Sequence, residues 1–462
     1  MRLNGNINFL NFCVSKPILV LLSVIIFQLD LYSQVIPCYN NSINYSTFSM
    51  PKDFEVEDFN NDGIQDVVIL RSSNLGIRLG INGGGYQYAI DTNLSALDIT
   101  SGFFNSGGNR DLILAEGSNI YVLAGNGDGT FTLINNIQLN SSVNNLISVE
   151  STDLNNDGKI DIVFSDNLSN NLLVYLGNGL GGFTSSQVIP INNIAACIRF
   201  SDFNNDSKID IAVLQGSSSI SILLGNGSGN FTLTSTVACS SSPGFDLADI
   251  NNDGIVDLVT CNSNNGVSIL YLGSGNGTFT SLGSQSFNNS TNYILLKDLN
   301  YDGNIDLVGA LGNSFSGSLK FFAGNGNGTF SPSISILLSS TIGYLPIKIV
   351  MKDLDNDGGH DLITLNQANN SFSVVKECTP VSISNADLYN TFSVYPNPAS
   401  GKIFFRINEN NFLKNHELQK EMYDVFGRKV FQSYKDEMNV SDMPRGIYYI
   451  KISGAIKKVV LN

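Results

Sequence analysis

Short apolar runs separated by polar turns fill most of the 462-residue chain, and one order of segments returns seven times. A stretch alternating polar and apolar positions comes first, as in Ser148-Val149-Glu150-Ser151-Thr152 or Phe245-Asp246-Leu247-Ala248. An acidic nine-residue segment follows it. Next is an apolar run: VVIL at 67–70, IVF at 162–164, IAVL at 211–214 or LVT at 258–260. A Ser/Asn/Gly turn leads to a second run: LLVYLG at 172–177, SILLG at 221–225, SILYLG at 268–273 or LKFFAG at 319–324. A glycine-rich corner then closes on Phe131, Phe183, Phe231, Phe279 or Phe330, and a polar–apolar stretch enters the next copy. These runs are too short for helices, rich in Val, Ile, Leu and Phe, and bounded by turn residues, which predicts strands. Four strands per unit and seven units predict an all-β fold, a seven-bladed β-propeller over residues 34–380. The seventh copy stops at Cys378 without a glycine corner or fourth strand, while residues 39–50 precede the first copy without a unit of their own. This N-terminal segment is therefore expected to supply the missing strand.

The nine-residue segment reads D-x-N-x-D-G-x-x-D. Intact copies begin at Asp58, Asp153, Asp202, Asp249, Asp298 and Asp353, and a worn one spans 103–111; successive starts lie 45, 50, 49, 47, 49 and 55 residues apart. Positions 1, 3, 5 and 9 carry side-chain oxygens, position 7 offers its carbonyl, and Gly at position 6 permits a left-handed turn. Such a set suits a hard cation, and all-protein oxygen ligands favour calcium over magnesium. The candidate ligands are Asp58, Asn60, Asp62, Ile64 and Asp66 in the first loop, and Asp153, Asn155, Asp157, Lys159 and Asp161 in the next intact one. Asp202, Asn204, Asp206, Lys208 and Asp210 follow, then Asp249, Asn251, Asp253, Ile255 and Asp257. The last two sets are Asp298, Asn300, Asp302, Asn304 and Asp306, and Asp353, Asp355, Asp357, Gly359 and Asp361. The worn copy places Phe103, Asn105, Gly107 and Asp111 at the corresponding positions. One carboxylate is too little charge, so about six calcium sites are expected and the second blade is expected to be empty. Ser207 stands where Gly is required, and a side chain at positive φ predicts weaker binding there. An EF-hand would need Glu at position 12, which here holds Ile69, Phe164, Val213, Thr260, Gly309 and Thr364.

Charge is concentrated in these loops: 20 of the 31 Asp lie in the seven copies, within a chain of net charge −15. No basic stripe exists to meet phosphates, which argues against a nucleic-acid partner. Arg2 and Lys16 precede an apolar run at 18–27 with Ser33 at a plausible cleavage point, which predicts a signal peptide over 1–33. About ten apolar residues are too few to span a bilayer, so the mature chain is expected to carry no transmembrane segment. In an exported protein Cys38 and Cys378 are expected to clip the ends of the repeat array together. Cys197, Cys239 and Cys261 read as small buried hydrophobes.

Taken together, the Asp loop, the apolar doublet after it and the glycine corner ending in Phe resemble the FG-GAP/VCBS repeat family, also seen in integrin α-subunit propellers, over about residues 40–378. The resemblance implies structural calcium sites at one end of the blades and ligand contact at the other. Residues 385–462 break the pattern with Val394-Tyr-Pro-Asn-Pro398, KIFFRI (402–407), EMYDVFGRKVF (421–431) and RGIYYIKISGAIKKVVL (445–461). Alternating strands with a tight turn at 424–427 predict a small β-sandwich, Pro396 and Pro398 marking entry to an edge strand. This segment resembles the C-terminal sorting domain of the type IX secretion system. That implies the secretion machinery as a partner and a secreted or outer-surface location.

Only His360 and His416 occur, in a metal loop and in the C-terminal segment, so no His-based triad can be built on the propeller. The glycine corners precede no helix and are not phosphate loops. Non-catalytic binding of a glycan, matrix component or protein is the favoured reading. The alternative is an extracellular carbohydrate-active enzyme, hydrolase or lyase, using Glu116 and Asp166 in turns opposite the metal loops. The simpler reading of those two acids is exposed turn residues.

Overall fold

The computed structural model describes residues 39–40, 42–139, 146–313, 315–331, 345–377, 392–407, 420–424, 428–435, 437–452 and 455–462. The predicted signal segment, both cysteines of the predicted clasp (Cys38 and Cys378) and most of the 424–427 turn lie outside them. Every regular element of the described residues is a β-strand. The chain divides into two compact units, Met1–Cys378 and Thr379–Asn462.

In the first unit, seven antiparallel sheets follow one another along the chain. The first contains Pro51–Glu57, Asp66–Arg71, Leu75–Ile81 and Gly85–Thr92 in that spatial order. The next four begin with Asp98–Gly102, Leu146–Thr152, Ala195–Ser201 and Phe245–Ala248, and each repeats the four-strand meander. The sixth has Thr291–Lys297, Asp306–Asn313 and Ser316–Phe322 among the described residues. The seventh has Pro346–Lys352, Asp361–Asn366 and Ser371–Val375.

Second strands such as Asp66–Arg71, Asp161–Asp166, Asp210–Gln215 and Asp361–Asn366 are buried at every position, because both faces are covered by neighbouring sheets. This explains their continuous apolar sequence. Each pair of successive sheets shares one apolar cluster. Val68, Leu70 and Ile77 meet Ile99, Leu112 and Leu114, for example. The last cluster joins Phe54, Val56, Val67 and Ile69 of the first sheet to Ile363, Leu365, Phe372 and Val374 of the seventh, which closes a ring. Fully burying one such side chain is worth roughly 1.5–3 kcal/mol.

The N-terminal segment completes the seventh sheet, as its sequence predicts. Strand Ile43–Ser46 pairs antiparallel with Ser371–Val375, from Ile43 opposite Val374 to Ser46 opposite Ser371. Tyr45 stacks on Phe372 at 5.0 Å and meets Tyr86 of the first sheet edge-on at 5.4 Å, so this strand also bridges the junction of the two sheets.

The second unit has two antiparallel sheets. One contains Phe392–Tyr395, Lys402–Ile407 and Glu437–Asn439; the other contains Lys429–Ser433, Lys420–Asp424, Gly446–Ile452 and Ala455–Leu461. Ile403 and Phe405 of the first share a core with Met422, Ile450 and Val459 of the second. Pro396 and Pro398 follow the strand Phe392–Tyr395 instead of leading into it. They end its ladder because Pro has no N–H to donate.

Candidate functional site

Each Asp loop joins the first strand of a sheet to the second, and its second residue anchors it. Phe59, Phe104, Leu154, Phe203, Ile250, Leu299 and Leu354 are all buried. Two turns of opposite hand to a helix shape the loop. Position 4 has φ of 57–60° at Asn61, Asn156, Asn205, Asn252, Tyr301 and Asn356, and position 6 has φ of 80–85° at its glycines. Ser207 takes the same left-handed conformation at φ 61°, as its place in the pattern predicts.

Position 9 has a role that the motif does not announce. In all seven copies its Oδ2 accepts the N–H of the position-2 residue at 2.8–3.1 Å. Its Oδ1 accepts an N–H from the far end of the third strand at 2.7–2.9 Å. The donors are Gly80, Gly125, Gly177, Gly225, Gly273, Gly324 and, in the last sheet, Glu377. At the six glycines a Cβ would fall 2.1–2.4 Å from the carbonyl oxygen of the position-8 residue, so only Gly fits. These aspartates are buried, and burial raises their pKa, reinforced by repulsion from positions 1 and 5 in five intact loops and from positions 3 and 5 in the loop from Asp353. Asp66, Asp257 and Asp361 rise to about 6 and Asp306 to about 7.

The remaining predicted ligands are tied by hydrogen bonds within each loop, and among the described residues three carboxylates come together only in the loop from Asp353. The position-1 carboxylates accept the position-6 N–H at 2.7–3.0 Å. The position-5 carboxylates accept the position-7 N–H at 2.8–3.0 Å, donated by Ile64, Lys159, Lys208, Ile255, Asn304 and Gly359. Asn60, Asn155, Asn204, Asn251 and Asn300 accept the position-5 N–H through Oδ1. The loop from Asp353 has Asp at position 3, and oxygens of Asp353, Asp355 and Asp361 all lie within 4.8 Å of one another. Asp355 Oδ1 is buried without a hydrogen-bond partner. An oxygen-only set with an orphaned carboxylate oxygen fits a hard divalent cation.

The worn loop is built differently. Asn105 Nδ2 donates to Asp111 Oδ1 at 3.0 Å, which puts an amide on the remaining carboxylate. The Arg110 guanidinium covers the Phe103 ring at 4.4 Å and reaches Glu57 at 3.4 Å.

A second polar cluster emerges only from ring closure. The first strands of successive sheets neighbour one another around the ring, which closes between Pro346–Lys352 and Pro51–Glu57. Lys348 Nζ lies 2.7 Å from Asp53 Oδ1 and 3.5 Å from Glu55 Oε1. Arg199 pairs with Glu150 at 3.0 Å and donates to Tyr293 Oη at 2.9 Å, passing over the intervening fifth sheet. Ser101 Oγ donates to Glu55 Oε2 at 2.8 Å. Burial lifts Glu55 to about 7 and raises Glu150 and Asp246. Asp98 lies well above the usual carboxylate range, through burial and a hydrogen bond shared with Asp53. The signal for this cluster was the polar member of each alternating first strand, unreadable as a site until the strands form a ring.

Glu116 and Asp166 are engaged locally. Ser95 Oγ donates to Glu116, while Asp166 is buried, not exposed, and accepts from Leu168 N and Ser169 Oγ. Cys197, Cys239 and Cys261 are unbridged; Cys261 is buried and the other two half-buried. Among the described residues no helix is long and apolar enough to cross a membrane.

Comparison with known proteins agrees with this geometry. The FG-GAP-like repeat matches residues 104–164, 153–213, 202–260 and 298–364, and the secretion system C-terminal sorting domain matches 393–461. No curated protein matches the chain. Among solved structures, BBS1N in complex with ARL6DN is similar in two crystals. The mercury-soaked one has a TM-score of 0.55 at 14% identity, covering 74% of this chain and 98% of that one. The lead-soaked one has a TM-score of 0.53 at 14% identity, covering 75% and 99%. At that identity the likeness concerns the fold alone. The chain is an FG-GAP-like repeat β-propeller protein whose C-terminal sorting domain sends it through type IX secretion to the cell exterior or outer surface.

Proposed function

We propose that this is a calcium-stabilised, seven-bladed propeller acting as a non-catalytic binding or adhesion module for a glycan, matrix component or protein. In this reading residues 1–33 are a signal peptide, 34–380 the propeller and 385–462 the sorting domain. Positions 1, 3, 5, 7 and 9 of the six intact loops hold calcium, whose charge offsets the carboxylates crowded there. The observation that carries the metal is the convergence of Asp353, Asp355 and Asp361, with Asp355 Oδ1 buried and unpartnered while its Oδ2 meets Lys376 at 3.2 Å. The binding face is the end of the ring away from the loops. There Phe48, Leu168 and Phe315 are 69%, 65% and 85% exposed among Ser- and Asn-rich turns. Apolar tips set in adaptable hydrogen-bonding groups suit recognition more than bond cleavage. The local bonds of Glu116 and Asp166 lend no support to a hydrolytic pair.

The test is a thermal melt and a glycan and matrix-protein screen of the exported protein, each run with calcium and with chelator. Calcium should raise the melting temperature, and a captured ligand should be released by chelation. An unchanged melting temperature would refute the metal reading. Turnover of a polysaccharide would refute the non-catalytic one.

A further inference from the structure

Five of the six intact loops fall into two kinds at position 5; in the sixth, from Asp353, an ammonium instead meets position 3, Lys376 Nζ lying 3.2 Å from Asp355 Oδ2. In the loops from Asp58, Asp249 and Asp298, the second oxygen of the position-5 Asp faces the amide of position 3. Asn60, Asn251 and Asn300 donate through Nδ2 to Asp62, Asp253 and Asp302 at 2.9–3.0 Å. In the loops from Asp153 and Asp202, that oxygen instead receives an ammonium. Lys159 Nζ lies 3.0 Å from Asp157 Oδ2, and Lys208 Nζ lies 3.0 Å from Asp206 Oδ2. Both lysines occupy position 7, whose expected contribution to a cation is only its carbonyl.

The lysines are seated in the same way in both copies. The Lys159 stem lies against Gly179 of its own sheet's glycine corner, where a Cβ would come within 3.3 Å of Lys159 Cδ. Lys208 lies against Gly227, with a corresponding separation of 3.0 Å. Ile255 rests on Gly275 in the same manner. The corner glycine thus provides a seat for the position-7 side chain, and that seat sends a lysine back to the position-5 carboxylate.

We infer that Lys159 and Lys208 are tethered cations that lower the calcium affinity of their own loops, giving the ring early-filling and late-filling sites. The inference rests on the calcium reading above. Each of these loops carries three carboxylates and one ammonium, against three carboxylates alone in the loops from Asp58, Asp249 and Asp298. Ligand charge count is a main determinant of calcium affinity in oxygen-only loops. An incoming ion must take Asp157 or Asp206 from its lysine and remain beside that positive charge. At a salt-screened surface this costs roughly ten-fold in affinity per site. Ser207 adds to the penalty in the loop from Asp202.

The full-length chain, stripped of metal, is titrated with calcium chloride while bound ions are counted by native mass spectrometry. Wild type should fill in two stages, with the loops from Asp153 and Asp202 in the later one. Lys159→Met combined with Lys208→Met should move two ions to the earlier stage, gaining roughly ten-fold each. Ile255→Lys should move one ion the other way, and this reciprocal variant controls for general effects of substitution. Calcium uptake that is the same in wild type and both variants overturns the inference and leaves the calcium reading standing. No retained ion on wild type overturns both.

Discussion

At the residue scale, the aspartate that ends each loop is as much a hydrogen-bond hub as a ligand. Asp111 shows the two roles apart, because its loop lacks the other carboxylates yet keeps the hub. Its oxygens accept Phe104 N, Asn105 N and Gly125 N at 2.9–3.0 Å. Asp111→Ala should cost about 2–4 kcal/mol, since it leaves buried amides without acceptors. In urea denaturation the loss should be the same with calcium as with chelator. A loss that appears only with calcium would mean that the worn loop binds metal after all. Ser207 offers the complementary test. Its φ of 61° is strained for an L-residue, and Ser207→Gly should gain about 1 kcal/mol in the same assay. An unchanged or lower midpoint would deny the strain. Ser207 was legible from its place in the nine-residue pattern. The hub was not, because Asp66 meets Gly80 across 14 residues of strand and turn.

At the scale of elements, the glycine corner fastens four of the sheets to the one before. Gly129, Gly181, Gly277 and Gly328 donate to the carbonyls of Phe59, Phe104, Phe203 and Ile250 in the preceding sheets at 2.8–3.2 Å. The corner's first glycine carries the tightest constraint. A Cβ on Gly225 would stand 2.1 Å from the Ile209 carbonyl oxygen, whereas nothing lies within 4 Å of one on Gly254. Gly225→Ala should therefore cost at least about 3 kcal/mol, by forcing apart the strands that Asp210 joins. Gly254→Ala should cost only about 1 kcal/mol, from its positive φ. Thermal melts of the two variants side by side decide this, and equal melting temperatures would mean that turn conformation, not close approach, selects both glycines. The strands themselves were readable from alternation and run length. The glycines were readable as corners, but not as fasteners, since their partners lie in another repeat.

At the scale of the whole molecule, closing the ring gathers charge that the sequence disperses. Asp53, Asp98, Glu150, Arg199, Asp246, Tyr293 and Lys348 come from seven different sheets, at intervals of about one repeat. Nothing in any single segment marks them as neighbours, whereas the strand that closes the ring was foreseeable from a unit lacking its fourth strand. Glu55 belongs to this group and faces Lys348, Asp53, Ser101 and Glu150. Burial holds its pKa near 7, against 4.5 in an open chain. The loop aspartates Asp66, Asp257, Asp306 and Asp361 stand at about 6–7 against 3.8. For a carboxyl whose pKa is raised by folding, the unfolded chain releases its proton first as pH rises. Its favourable contribution is complete below the unfolded value and is lost as pH climbs through the folded one. Exposed Asp157 and Asp206 shift the other way, but solvent screens them. Chelated protein should therefore melt at a higher temperature at pH 5 than at pH 7.5. Bound calcium favours the ionised carboxylates, so the stabilisation it adds should grow across that same interval as competition from protons fades. Melting curves at both pH values, with and without calcium, test the two slopes together. A chelated protein that is more stable at pH 7.5 would show that the buried carboxyls keep their ordinary acidity and that the ring tolerates their charge without metal.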